Sequence, residues 1–239
     1  MSMTIARIIT PGIAVVAALA GTVLSGPAGA TSSDRPIVVE LFQSQGCSSC
    51  PPANAMLNRL ADRADLLPLN FGVTYWDQLG WKDKFAHPAY TDRQWDYARS
   101  GKRGNVATPQ FIINGRGVVT GSDAQQLAQS IRSENRNETG PMITVDGKRV
   151  SIAAGTVAAP ATVWLVRYDP RVRNVSIGRG ENSGRVLPHR NVVTGLRALG
   201  TYKGSAMVFS QPAYRDANER SAILIQQGTG GRIIAAKRL

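Results

Sequence analysis

Apolar residues recur along this chain with two different spacings. The run Ile37-Val38-Val39-Glu40-Leu41-Phe42 reads as a buried strand, and Leu66 to Val73 reads as a second. Between them, Ala55, Met56, Leu57, Leu60, Ala61 and Ala64 lie at helical spacing, which predicts a helix from Ala53 to Ala64. A second helix is expected from about Pro88 to Arg99, with Trp95 and Tyr97 riding on it. A third, from Ala124 to about Ser133, turns Leu127, Ala128 and Ile131 inward and takes Ser122 or Asp123 as its cap. Before it, the apolar stretch Phe111-Ile112-Ile113 ends in Asn114-Gly115, a hairpin signal, and Gly117-Val118-Val119-Thr120 returns as the next strand. Pro109 cannot donate to a ladder, so it stands at the entry of that strand or at an edge.

The remaining third has a different texture. After a linker from Glu134 to Gly140, Met142 to Val145 and Val150 to Ile152 form a hairpin around Asp146-Gly147. Thr162 to Tyr168, Asn174 to Ile177, Ser205 to Ser210, Ala222 to Gln227 and Arg232 to Ala236 also read as strands. Short strands spaced by Gly, Pro and Asp predict an all-β, sandwich-like unit. The turn Gly178-Arg179-Gly180-Glu181-Asn182-Ser183-Gly184 is not a dinucleotide loop, because no strand-to-helix context follows it. It reads as a Gly-rich hairpin connection, with a recognition loop near the cysteines as the alternative.

The first residues change the picture of where the protein works. Arg7, the uncharged stretch from Ile8 to Leu24 and the small residues Ala28-Gly29-Ala30 have the form of a secretory signal, cut near Ala30. No other stretch approaches spanning length, so an exported chain, periplasmic or secreted, with no membrane span after cleavage is expected. The net charge is +12. Its arginines are scattered without an aromatic-interleaved basic run, which argues against a nucleic-acid partner.

Both cysteines of the chain stand in Cys47-Ser48-Ser49-Cys50-Pro51-Pro52, between the first strand and the first helix. A helix N-terminus favours an anion, and the thiolate is the form that attacks disulfides. The prolines fit the first turn, where a missing N–H costs nothing. A bridge across so short a loop stabilises a fold poorly, which favours exchange chemistry over a structural staple. Cys47 is expected to be the exposed nucleophile and Cys50 the buried thiol that resolves the mixed disulfide. With only His87 and His189 as further soft ligands, no zinc site is expected, and no cofactor is implied. A copper-type chaperone using both thiolates, with or without His87, remains an alternative, as does a binding module whose disulfide acts as a switch. Trp76, Asp77 and Trp81 belong to an aromatic and charged segment that either packs beneath a long connection or lines a substrate wall beside the thiols.

The order β-CxxC-α-β-α-Pro-β-β-α resembles the thioredoxin superfamily. That resemblance implies a cis Thr108–Pro109 bond lying against the disulfide and leaving backbone free to pair with a client. It also implies a buried acid before the cysteines, for which Glu40 is the candidate proton shuttle. The rival is a strand-end glutamate facing solvent, and Gln43-Ser44-Gln45-Gly46 makes the connection a residue longer than expected. More narrowly, Val39 to Ala53, Tyr75-Trp76-Asp77 with Leu79-Gly80-Trp81-Lys82-Asp83, Thr108-Pro109-Gln110 with Asn114-Gly115, and Gly178 to Asn182 resemble the secreted family catalogued as domain of unknown function 1223. The expectation is therefore an α/β thioredoxin-like domain over residues 31–139 and an all-β domain over 141–239. The expected activity is thiol–disulfide exchange on protein or small-molecule disulfides, with an unidentified redox partner.

Overall fold

The computed structural model describes Met1 and residues 34–134, 140–211 and 216–239. The expected signal, apart from Met1, and residues 135–139 of the linker lie outside them. The chain runs β1 (Ile37–Gln43), α1 (Cys50–Leu60), β2 (Leu66–Gly72), α2 (Pro88–Ser100), β3 (Gln110–Ile113), β4 (Gly117–Thr120) and α3 (Ala124–Ser133). There follow β5 (Ile143–Asp146), β6 (Arg149–Ile152), β7 (Ala161–Asp169), β8 (Arg173–Ser176) and β9 (Val186–His189). The last strands are β10 (Val192–Tyr202), β11 (Met207–Ser210), β12 (Arg220–Gln227) and β13 (Ile233–Arg238). Among the described residues no helix is long and apolar enough to cross a membrane.

One mixed eight-stranded sheet, in the order β13-β12-β7-β10-β2-β1-β3-β4, takes strands from both sides of residue 140. The expected fold class, a thioredoxin-like α/β domain followed by a separate sandwich-like all-β domain, is therefore corrected to a mostly β architecture, with three helices among the described residues. The reason lies at β2. Its outer edge needs backbone partners, and β10 supplies them through the parallel pair Val192 and Asn70. Asn70 N–H donates to the Asn191 carbonyl (2.9 Å), and Asn191 Nδ2 donates to the carbonyl of Pro68 (2.8 Å). Pro68 has no N–H to offer this edge, so a side chain takes over where the ladder is interrupted. The strand that makes the join carries no clear period, because Gly195 and Gly200 sit at register shifts against β7.

The core follows the sheet. On one face α1 and α3 bury Ala53, Met56, Leu57, Leu127 and Ile131 on Val39, Leu41, Leu66 and Phe111. On the other, α2 sets Tyr90 and Tyr97 against Val38, Phe42, Leu69 and Phe71, in one cluster with Val166, Val193, Leu224 and Ile233. That second cluster mixes residues from both ends of the chain. The β5-β6-β11 sheet closes a further cluster over β7 and β12.

A buried ion pair crosses the α2 face. Arg93 Nε donates to Glu40 Oε1 (2.8 Å), Nη1 to Gln226 Oε1 (3.0 Å) and Nη2 to the Tyr97 hydroxyl (2.8 Å). The Tyr97 hydroxyl donates in turn to the second oxygen of Glu40. The guanidinium also stacks over Tyr97, Trp164 and Phe71. Both charged side chains are essentially inaccessible, at 4% and 0% exposure. Breaking such a pair leaves an uncompensated charge, so Arg93→Met is expected to lower unfolding free energy by about 3–5 kcal/mol in urea titrations. Adding Glu40→Gln should recover part of the loss, and a single-variant loss under about 1 kcal/mol would show that the pair contributes little.

Candidate functional site

Two tight turns place the cysteines. Cys47 N–H donates to the Ser44 carbonyl and Cys50 N–H to the Cys47 carbonyl, each at 3.2 Å. Cys50 is the first residue of α1, with the two prolines in the opening turn. The helix thus starts at Cys50, and Cys47 sits one turn ahead of it. The two sulfurs form a disulfide with Cα atoms 5.4 Å apart. Contrary to expectation, Cys47 is as fully buried as Cys50, and it is Ser48 and Ser49 that face solvent.

The Thr108–Pro109 bond is cis, and the Thr108 carbonyl faces the bridge. Cys47 Sγ lies 3.8 Å from that carbonyl oxygen and 3.3 Å from Ser49 Oγ, whose hydroxyl donates to the same carbonyl at 3.5 Å. Trp76 Nε1 donates to Thr108 Oγ1 (2.7 Å) and fixes the other side of the dipeptide. Cys47, Cys50, Thr108, Pro109 and Trp76 therefore come together.

The other expected site residues play different parts. Glu40 points to the α2 face and is engaged by Arg93 and Tyr97, while α1 covers the opposite face of β1. Trp81 Nε1 donates to Gln45 Oε1 (3.0 Å), and its ring packs on Val175, Ile177 and Leu187. Asp77 accepts from the backbone of Asp83 (3.0 Å). His87 Nδ1 accepts from Ala89 N–H and caps α2. Among the described residues no three His, Cys, Asp or Glu side chains converge as metal ligands.

Several residues that hold the site were not singled out as such from the sequence. Asp83 accepts from Gln45 N–H and Phe85 N–H, each at 2.7 Å, and pins the turn leading into Cys47. Burial pushes its carboxyl up to about 6, against the pull of those N–H groups. The turn between β8 and β9, read as a hairpin connection with a loop near the cysteines as the alternative, lies over the cysteine loop. Asn182, fully buried, donates through Nδ2 to the carbonyls of Gln45 and Cys47, each at 2.9 Å. Glu181 Oε2 accepts from Ser48 N–H (2.9 Å). Gly180 lies beside Trp81 at φ +76°, a backbone conformation that favours glycine.

This geometry coincides with a family match over residues 38–226, to the family described as Protein of unknown function (DUF1223). The chain belongs to the DUF1223 family. The X-ray crystal structure of protein AGR_C_4864 from Agrobacterium tumefaciens is similar at 32% identity and TM-score 0.71, covering 85% of this chain and 93% of that one. HBP35 of Porphyromonas gingivalis shares the fold at 12% identity and TM-score 0.58, over 86% of this chain and 75% of that one. No curated protein matches.

Beneath the disulfide, α1 of this DUF1223 protein is tied to β9. Asn54 Nδ2 donates to the Pro188 carbonyl (2.7 Å) and meets His189 Nδ1 at 3.1 Å, while Asn54 Oδ1 accepts from Asn70 Nδ2 (2.7 Å). Burial lowers the His189 imidazole from 6.5 to about 4. Between those two values the unfolded chain binds a proton that the native one refuses, so stability falls as pH drops through this window. Asp83 acts in the opposite sense, since its native carboxyl binds the proton more readily. Comparing wild type with His189→Gln isolates the histidine. The variant should lose about 3 kcal/mol less than wild type across the same pH range, by urea unfolding. Parallel pH curves would show that His189 does not titrate with unfolding.

Proposed function

We propose that this DUF1223 protein is a thiol–disulfide oxidoreductase acting through Cys47 and Cys50. The observation that carries the reading is a CxxC disulfide at a helix start, set against the carbonyl of a cis X-Pro bond. A short-loop bridge adds little stability, so this surrounding apparatus is better understood as serving the sulfurs than as reinforcing the fold. The likeness to thioredoxins is one of site, not of overall architecture.

In the reduced protein, the Cys47 thiolate attacks one sulfur of a client disulfide. The client S–S bond breaks, the second client sulfur leaves as a thiolate, and a mixed disulfide forms on Cys47. The Cys50 thiolate then attacks Cys47 Sγ, releasing the other client sulfur. Two electrons pass to the client, whose thiolates take up protons, and the Cys47–Cys50 bridge is restored. The reverse sequence oxidises a dithiol. Thr108, whose carbonyl lies against Cys47 Sγ, is the residue an approaching client segment would meet, and Trp76 holds it in place. Because Cys47 is buried, the Ser48–Ser49 tip must yield before either a client disulfide or a client thiol reaches it. Such chemistry suits an exported protein, periplasmic or secreted, outside the reducing cytosol.

The test uses reduced full-length protein and a small aromatic disulfide. Wild type should exchange at least about tenfold faster than glutathione at equal thiol concentration, as a neighbouring resolving thiol allows. Cys50→Ser should stop at a mixed disulfide on Cys47, visible by mass spectrometry, and Cys47→Ser should lose the fast phase. Exchange no faster than glutathione, or trapping on Cys50 instead, would sink the assignment.

A further inference from the structure

The turn between β8 and β9 holds a carboxylate against the cysteine loop, and the redox step above makes no use of it. We propose that Glu181 is a positioning residue that raises the thiol pKa of Cys47 and biases the pair toward the disulfide, making it a stronger reductant. The proposal deepens the oxidoreductase reading and rests on it for its biological meaning, though not for its measurement.

The geometry is specific. Ser48 follows Cys47 directly and lies on the exposed tip between the two cysteines, just ahead of α1. Glu181 Oε2 accepts from its amide N–H at 2.9 Å. The contacts with Ser48, side chain and backbone, also hold the Glu181 carboxyl below its ordinary range, so it is charged at neutral pH.

Its position is not left to an exposed side chain alone. The next residue, Asn182, is buried and fastened to the carbonyls of Gln45 and Cys47, and Arg185 Nη1 donates to Asn182 Oδ1 at 2.8 Å. The other charged residues on the packed segments are Asp77, Lys82, Asp83 and Lys84 on one side and Arg179 and Arg185 on the turn itself. Asp77 and Asp83 are engaged by backbone N–H groups. Glu181 is thus the acid whose carboxylate meets the residue next to Cys47.

One effect follows. The carboxylate is held at the amide that joins Ser48 to Cys47, and a like charge there disfavours the Cys47 thiolate. A couple whose reduced form is disfavoured has a lower potential.

Reduced wild type, Glu181→Gln, Glu181→Asp and Asn182→Ala would be titrated by ultraviolet thiolate absorbance, then equilibrated with glutathione buffers. Glu181→Gln should lower the Cys47 thiol pKa and shift the glutathione equilibrium toward the dithiol by about two- to fivefold, the scale of one charge near a helix end. Glu181→Asp should fall between it and wild type. Asn182→Ala, which releases the turn, should move in the same direction. Glu181→Gln matching wild type in both readouts would overturn the proposal, and so would an effect from Asn182→Ala alone. If no variant exchanges with the small aromatic disulfide, the redox reading fails, while the thiol titration still decides the role of Glu181.

Discussion

A guanidinium taken out of water must find partners at every donor, and Arg93 finds them on three elements. Glu40 comes from β1, Tyr97 from its own helix and Gln226 from β12, which is 133 residues further along the chain. An unpaired charge at that depth is costly, so the arrangement forms only when both ends of the chain are in place. The apolar cluster around it makes the same demand, since Phe71 and Leu69 pack with Leu224 and Ile233. The large sheet is thus held by a charge network as well as by its ladder, and the first half of the chain has no finished surface of its own along β2.

The disulfide depends on that closure. Its surroundings come from four segments: the β1–α1 turn, the loop from Trp76 to Asp83, the Thr108–Pro109 entry to β3, and the turn carrying Glu181 and Asn182. Each contributes backbone contacts as much as side-chain chemistry. Asp83 and Asn182 both act on the turn that leads into Cys47, one through its N–H groups and the other through its carbonyls. Trp81 sits between these two segments, its indole N–H held by Gln45. A pair of cysteines that would otherwise lie open at a helix end is instead enclosed, leaving the Ser48–Ser49 tip as its outer face.

Local chemistry in the sequence was informative, and long-range pairing was not. The three helices lie within a few residues of their expected spans, because proline, cap and apolar spacing act over single turns. The CxxC turn and Pro109 were visible for the same reason. What failed was the architecture, and one strand accounts for it. Gly195 and Gly200 break the pattern of β10, so the element that joins β2 to β7 could not be read as a strand. Glu40 looked like an acid in need of a purpose, but Arg93 and Gln226 lie too far along the chain for any spacing rule to connect them. The turn carrying Asn182 was left between a plain connection and a loop near the cysteines, because a glycine-rich turn looks the same whether it faces solvent or lies over a disulfide.

The distance between Cys47 and Asn182, 135 residues, also sets an order in time. During synthesis the two cysteines emerge well before the turn that covers them and before β12 exists to complete the Arg93 network. Throughout that interval they stand at the end of a nascent helix with no carboxylate beside them and no lid above. Their chemistry on the growing chain is that of a bare thiol pair, open to any oxidant it meets. Only arrival of the last strands converts it to the enclosed form, so the surroundings of the two sulfurs are completed at the end of the protein's own assembly.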